Sequence, residues 1–257
     1  MQVDLADKVV VITGAGNGIG AAAARLAADS GVGALVLTDR DGQALGRVTE
    51  EIRKKTRVSL HIGDLEDDRT PAGIARSAIG TFGRIDGLVN SAGHTFRMGI
   101  EDATIEGWER MQALNTRAPF FLMQQAVADM RRRGKPGSIV NIQSMHAHIG
   151  LPELAVYAAS KAALQVLTRN TANACKRDGI RVNGLNLGWI LTESERRMQA
   201  ETLGRGPGWV EETAATLPLG RLITPEEVAR QVVWLLSDAS APMTGVSIDF
   251  DQNVFGG

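Results

Sequence analysis

The chain has 257 residues, of which 44% are hydrophobic and 22% are charged, a composition typical of a soluble globular protein. Its formal net charge of −1 removes any electrostatic argument for binding nucleic acid or an anionic membrane. The one cysteine, Cys175, excludes an intrachain disulfide and a thiolate metal cluster. The sequence shows neither the apolar core of a signal peptide nor an apolar run long enough for a membrane span, so we expect a cytoplasmic protein.

Short β-branched segments alternate with helix-length segments along the chain. The predicted strands are residues 8–13, 34–38, 58–62, 87–89, 139–142, 180–187 and 246–249. The predicted helices lie between them, among them 42–55, 104–133, 154–178 and 224–236. This alternation predicts an α/β fold, a doubly wound parallel sheet of about seven strands with helices on both faces. We expect 1–257 to form a single dinucleotide-binding and catalytic domain, with a small substrate-covering segment around 189–215.

A glycine-rich turn, residues 14–20, joins the first strand to an alanine-rich helix. Such a turn directs backbone N–H groups, together with the positive end of the helix dipole, towards a pyrophosphate. Asp39 ends the next strand, about twenty residues further on, where a carboxylate can bind both ribose hydroxyls of an adenosine. The alternative is that Asp39 caps the following helix, which Asp41 can also do.

Tyr157 and Lys161 are four residues apart in a predicted helix, so their side chains share one face. A phenol with a pKa of about 10 is a poor acid or base at neutral pH. An ammonium group beside it favours the phenolate and lowers the pKa of the tyrosine. Ser144, at the end of an upstream strand, can hold the oxygen of an alcohol or carbonyl. The three side chains together suit proton transfer to and from a carbinol oxygen.

Ligands of doubly wound parallel sheets bind at the carboxyl ends of the strands. Residues with suitable chemistry stand at six of these ends, namely Gly14, Asp39, Asp64, Asn90, Ser144 and Gly188. We therefore expect one site along a single edge of the sheet.

These residues also match a family. The chain resembles the short-chain dehydrogenase/reductases from residue 8 to residue 249. TGAGNGIG at 13–20 is similar to the cofactor loop of that family, and NSAG at 90–93 is similar to its N-N-A-G turn, with Ser91 replacing the second asparagine. Asn115 stands where the family has a catalytic asparagine. Ser144, Tyr157 and Lys161 match the remaining catalytic positions with the interval that the family keeps between serine and tyrosine.

The resemblance implies a Rossmann-type fold and a catalytic set of Asn115, Ser144, Tyr157 and Lys161. It implies a nicotinamide cofactor held by Gly14, Asn17, Gly18, Ile19, Gly20, Asp39, Arg40, Asp64, Leu65, Asn90, Ala92, Gly93, Tyr157, Lys161, Gly188, Ile190 and Thr192. In the family, the position of Asp64 contacts adenine and that of Thr192 meets the nicotinamide carboxamide. Leu187 stands where proline is usual, a departure that removes no reacting group.

Within this interpretation, the cofactor should be NAD rather than NADP. The carboxylate of Asp39 would accept hydrogen bonds from both ribose hydroxyls and repel a 2′-phosphate. Arg40 is the complication, because it can either cover a phosphate or stack beside the adenine.

The expected reaction is hydride transfer between NAD(H) and a secondary alcohol or ketone. A sugar or polyol is weakly favoured as substrate over a 3-ketoacyl or small-ketone substrate, because the residues expected to face it mix polar groups with a few large apolar ones. Those residues are His94, Ser144, His146, Tyr157 and Trp189. The histidines lack the spacing of a zinc site, so no metal is expected.

Two further classes of function were weighed. A serine hydrolase would need a histidine base paired with Ser144, and the sequence has no G-x-S-x-G elbow. A catalytically inert NAD-binding sensor would not require Asn115, Ser144, Tyr157 and Lys161 to be present together.

A homotetramer with twofold axes is expected, mainly from the family resemblance. Two long predicted helices support it with apolar residues on more than one face: Ile105, Trp108, Phe120, Phe121, Met123, Leu164 and Leu167.

Overall fold

The structure is a computed structural model that describes residues 3–254. Its described part contains one sheet of seven parallel strands in the order β3-β2-β1-β4-β5-β6-β7. The strands are β1 Val9–Thr13, β2 Ala34–Asp39, β3 Arg57–Ile62, β4 Gly87–Asn90, β5 Gly137–Ser144, β6 Ile180–Leu187 and β7 Ser247–Phe250. The order reverses between β1 and β4, which confirms the predicted doubly wound sheet and places a crevice at its centre.

The helices cover both faces of this sheet. They are α1 Gly18–Asp29, α2 Gly42–Ile52, α3 Thr70–Phe82, α4 Ile105–Gln112, α5 Ala118–Arg133, α6 Ala155–Cys175, α7 Glu193–Arg197, α8 Trp209–Ala214 and α9 Pro225–Leu236. None of the helices in the described part of the chain is both long and apolar enough to cross a bilayer.

The core is divided by the sheet into two layers, as alternation along β1 illustrates. Val10 and Ile12 point into the layer formed with α1, α2 and α9, whereas Val11 points into the layer formed with α3, α5 and α6. Because both faces are covered, every residue of β1 is buried.

The long helix predicted over 104–133 is interrupted. A π-helical turn, Ala113–Arg117, separates α4 from α5 and carries Asn115. Pro119 follows four residues after Asn115, and a proline has no N–H to donate to that carbonyl, as an α-helix would require. A wider turn at this position is therefore consistent with the sequence, and π-turns are common at functional sites.

The apolar residues that suggested association divide into two groups. Ile105, Trp108, Phe120 and Phe121 are exposed, by 80%, 48%, 38% and 39%. Met123 and Leu164 are instead buried in the core, and Leu167 packs against it, so their predicted contribution to an exposed surface was wrong. They lie on the sides of α5 and α6 that face the sheet and each other.

The segment predicted to cover the substrate, 189–215, contains α7, a π-helical turn at Met198–Thr202, and α8. Two buried side chains from this segment, Gln199 and Trp209, give it a small interior of its own.

Candidate active site

The glycine-rich turn brings several backbone segments closer together than side chains would allow. Gly14 has a φ of 65°, and a Cβ there would lie 2.9 Å from the Ala92 backbone. A Cβ on Gly20 would overlap the carbonyl of Gly14. Asn17 occupies the N-cap of α1, and among the described residues its side chain makes no capping hydrogen bond. The first N–H groups of α1 are thus left for another acceptor, which fits a pyrophosphate.

Asp39 lies beside this turn. One carboxylate oxygen accepts from the Gly16 N–H at 2.9 Å, and the other accepts from the Asp41 N–H at 3.0 Å. The alternative role for Asp39 is wrong, because α2 is capped by Asp41, whose carboxylate accepts from the Gln43 and Ala44 N–H groups. Asp39 is therefore oriented at the mouth of the crevice by two backbone donors.

Most of the cofactor residues that were predicted after β2, β3 and β4 line one cleft. Its lining includes Gly14, Asp39, Arg40, Asp64, Leu65, Ala92, Gly93, His94 and Leu114. A nucleoside could lie there against Leu65 and Leu114, with its ribose towards Asp39.

The structure places His94 on the wall of this cleft. Its ring stacks on Phe96 with centroids 3.9 Å apart. Burial, followed by the charges of Arg40 and Arg110, lowers the pKa of His94. A contact between His94 and substrate, predicted from its position after β4, stays a prediction.

Asn90 lies at the end of β4, beneath the cleft. Its side chain is 2% exposed and donates to Asn141 Oδ1 at 2.8 Å, joining β4 to β5 inside the sheet. The amide therefore stabilises the floor of the crevice and does not itself point into the cleft.

The chain after β6 closes the other side of the cleft. Thr192 packs its γ-methyl against Gly18, where a Cβ would lie 3.2 Å away. Ile190 is buried and forms a β-bridge with Ile223. At Gly188 a Cβ would overlap the carboxylate of Asp251. The glycine therefore leaves room for this carboxylate, which follows β7.

Asn115 and Lys161 approach each other beneath Gly93. A Cβ on Gly93 would lie 3.2 Å from Asn115 Oδ1 and 3.3 Å from Lys161 Nζ, so glycine leaves room for both. Lys161 is buried and donates to the Ile142 carbonyl at 3.0 Å. Asn115 is fully buried and links the turn after β4 to α6, because it holds both the His94 backbone and Ser160 Oγ.

Ser160 was missed by the sequence analysis. Its hydroxyl accepts a hydrogen bond from Asn115 Nδ2 at 3.1 Å and donates one to the Tyr157 carbonyl at 2.7 Å. Ser160 thus fixes Asn115 relative to the turn of α6 that carries Tyr157. A serine directly before Lys161 is the only sequence signal for this role, and it is weak without the fold.

The side chains of Ser144 and Thr95 lie near enough to the Tyr157 hydroxyl to act on its pKa. Burial raises the pKa of Tyr157, and these two hydroxyls lower it by less than burial raises it. Burial also lowers the pKa of Lys161, to about 8. Burial favours the neutral form of both groups, so the expectation that Lys161 lowers the pKa of Tyr157 stays a prediction.

The substrate half of the site lies beyond Tyr157. The His146 ring meets the Tyr157 ring edge-on at 6.0 Å, and burial lowers the pKa of His146. Arg97 and Glu153 form an ion pair at 3.0 Å, and both charges act on His146. Trp189 donates its indole N–H to Glu195 at 2.8 Å. Of these predicted substrate residues, His146 and Trp189 lie where a substrate could contact them.

Comparison with known proteins identifies close structural relatives. A family model described as enoyl-(acyl carrier protein) reductase matches residues 14–252. L-rhamnose 1-dehydrogenase (NAD(P)(+)) of Sphingomonas sp. strain SKA58 is 34% identical, over 98% of this chain and 97% of its own. The probable galactose dehydrogenase GalD of Rhizobium meliloti is 31% identical over 98% and 96%. The crystal structure of L-sorbose reductase from Gluconobacter frateurii, complexed with NADPH and L-sorbose, superposes with a TM-score of 0.94 at 30% identity, covering 100% of both chains.

Proposed function

Because the chain belongs to the short-chain dehydrogenase/reductase family, we propose that it transfers a hydride between NAD(H) and a secondary alcohol or ketone, with a sugar or polyol as the substrate. The observation that carries this proposal is the placement of Tyr157 against Ser144 and Thr95, with Lys161 buried below, at the sheet edge that also bears the glycine turn.

The residues around the crevice fit a dinucleotide. The free N–H groups of α1 suit its phosphates, Asp39 suits a ribose, and Thr192 lies over the turn at Gly18. A bound nicotinamide would supply or accept the hydride, and the protein supplies position and charge.

Tyr157 is the proposed proton donor and acceptor. Its raised pKa means that the phenol holds its proton at neutral pH and can give it to the oxygen of a bound ketone as the carbonyl carbon becomes a carbinol. In the oxidation, Tyr157 must first lose its proton, and the phenolate oxygen then takes the proton of the alcohol. Ser144 and Thr95 hold the substrate oxygen. Lys161, with a pKa of about 8, is still largely cationic at neutral pH and stabilises the phenolate.

Several relatives support a sugar or polyol as substrate, since their names state rhamnose, galactose and sorbose. The residues beyond Tyr157 support it independently, because Arg97, Glu153, His146 and Glu195 offer more hydrogen-bonding groups than an acyl chain needs. The alternative, a 3-ketoacyl or small-ketone substrate, is favoured by the description of the matching family model.

Absorbance of the reduced nicotinamide tests these possibilities directly. Purified protein with NAD should oxidise at least one neutral sugar or polyol. Turnover of a ketoacyl thioester or a simple ketone, with none of any sugar or polyol, would favour the alternative. Absence of turnover with the whole panel, in both directions and with both cofactors, would favour an inert sensor.

NAD is proposed as the preferred cofactor because the fixed carboxylate of Asp39 suits free ribose hydroxyls and repels a 2′-phosphate. We propose a preference for NAD and not an absolute requirement. One relative is named for both cofactors, and another is complexed with NADPH. Arg40, which also lines the cleft, is the residue that could reduce it.

We also propose a homotetramer. The exposed apolar side chains on α4 and α5, namely Ile105, Trp108, Phe120 and Phe121, support it as a surface for another copy of the chain.

A further inference from the structure

Glu195 lies in the segment that follows β6, and two hydrogen bonds hold its side chain in place. Its Oε1 accepts two hydrogen bonds, from Trp189 Nε1 at 2.8 Å and from Gln199 Nε2 at 2.8 Å. Two donors at one oxygen fix the plane of the carboxylate. Within residues 3–254, no group donates a hydrogen bond to the second oxygen, Oε2, and no lysine or arginine forms an ion pair with Glu195.

The elements around Glu195 place it beside the reacting groups. Ser144 pairs in register with Leu187, so Trp189 follows two residues beyond the level of the catalytic serine. Thr192 packs against Gly18 and accepts the Glu195 N–H at 3.0 Å. Thr192 thus ties the start of this segment to the cofactor turn, and Glu195 lies close enough to Tyr157 for its negative charge to contribute to the raised pKa of Tyr157.

The segment around Glu195 is ordered by side-chain packing. Trp189 stacks on the buried Trp209 with ring centroids 5.8 Å apart. The Arg205 guanidinium lies over both rings, at 5.9 and 5.5 Å, and donates to Thr213. Arg205 is thus engaged with other partners in this cluster, and Glu195 is positioned in advance without an ion pair among the described residues.

We propose that Glu195 is a specificity-determining residue, whose Oε2 accepts a hydrogen bond from a second hydroxyl group of the substrate. The inference rests on the proposed function. An ionised carboxylate can accept hydrogen bonds but cannot donate them, and it repels other anions. It therefore selects a neutral polyhydroxylated molecule and rejects the sugar acid or sugar phosphate of the same carbon skeleton.

The test compares wild type with Glu195→Gln on two substrates: the best neutral sugar or polyol and the sugar acid with the same stereochemistry. Glutamine keeps one acceptor oxygen for Trp189 and Gln199 and replaces the other oxygen with an amide. We expect kcat/KM for the neutral substrate to fall about tenfold, as for a lost hydrogen bond to a charged group. The preference for the neutral substrate over the acid should also fall at least about tenfold, because the repulsion disappears.

Glu201→Gln is the matched control, since Glu201 is an exposed carboxylate in the same segment. It should leave both kcat/KM values unchanged. Damage to the fold of the segment would lower the two values together, so the ratio between substrates separates recognition from structure. Thermal melting of each variant checks the fold.

An unchanged ratio in Glu195→Gln, in a protein that oxidises neutral polyols, would overturn the assignment of Glu195 and leave the proposed function standing. A wild type that prefers the sugar acid, or an alcohol without a second hydroxyl, would overturn it while retaining alcohol dehydrogenase chemistry. Absence of any turnover by the wild type would reject the proposed function and this inference with it.

Discussion

At the scale of single residues, the active site combines the half-buried Tyr157 with the buried Lys161, two titratable groups whose charged forms are both disfavoured by desolvation. Tyr157 keeps its proton and Lys161 loses its own more readily than usual. Each then depends on the other and on the bound molecules to become charged. The pH dependence of activity will therefore report the pair rather than either residue alone.

Lys161→Met should stabilise the protein most at neutral pH. Below a pH of about 8, Lys161 is protonated in both folded and unfolded states, so the cost of burying its charge is fully present. Between about 8 and the reference value of 10.5, only the unfolded state keeps the proton, and the wild type gains stability with rising pH. The gain is at most about 1.4 kcal/mol per pH unit.

Thermal melting at about pH 7 and about pH 9.5 measures this effect. The difference in melting temperature between Lys161→Met and wild type should move in favour of the wild type as the pH rises. Lys176→Met is the control, because it replaces an exposed lysine by the same residue. A difference that is constant with pH would mean that Lys161 is not desolvated.

Asp39→Ala should narrow the preference for NAD over NADP. The change removes the acceptor for the Gly16 N–H and the charge that would repel a 2′-phosphate. We expect wild type to favour NAD by about a hundredfold in kcat/KM, a value that follows from a hydrogen bond to a charged group.

Steady-state kinetics with both cofactors provide the measurement. Asp64→Ala is the control, because Asp64 lines the same cleft beyond the ribose and should affect both cofactors equally. A wild type that prefers NADP would mean that Arg40 decides the choice and that Asp39 serves mainly to hold the glycine turn.

The residues that could be predicted from the sequence are those whose positions follow from regular geometry. Tyr157 and Lys161 lie one helical turn apart whatever the rest of the chain does. Ser160 could not be found in this way, because its contact with Asn115 joins segments 45 residues apart. Glu195 could not be found either, because its contacts with Trp189 and Gln199 are local and do not indicate that it lies near Tyr157. The substrate contact proposed for His94 stays a prediction, since its position after β4 does not fix the direction of its ring.

At the scale of elements, the strands and their ends were predictable because buried parallel strands are short, β-branched and followed by turn residues. The convergence of Gly14, Asp39 and Ser144 at one edge follows from parallel pairing alone. The π-helical turn at Ala113–Arg117 was not predicted, because the apolar periodicity continues through it. Pro119 was the available signal, four residues beyond Asn115.

The internal fold of the segment 189–215, in contrast, could not be predicted from the sequence. Its composition indicated a cover for the substrate, but not how it folds. Its helices are short, and its order comes from the stacked pair Trp189 and Trp209 with Arg205 over both rings. Aromatic and cation–π contacts of this kind are specific in geometry but leave no periodic pattern in the sequence.

At the scale of the whole molecule, association should bury the exposed apolar face of α4 and α5. Sedimentation at micromolar concentration should show a tetramer, and Phe121→Glu should shift the protein towards smaller species, because a charge would be desolvated in the contact. Leu60→Glu is the control, since Leu60 is equally exposed but lies on the edge strand β3. A wild type that sediments only as a monomer would reject this prediction.

The central claim is that the Tyr157 hydroxyl moves the proton during hydride transfer, and turnover of Tyr157→Phe tests it most directly. The variant lacks only the phenolic oxygen, so its melting temperature and its affinity for NAD should match those of the wild type. Its kcat on a substrate of the wild type should fall by at least about a hundredfold, as for a lost general acid–base. A folded Tyr157→Phe protein that binds NAD and turns over at a near-normal rate would contradict the account.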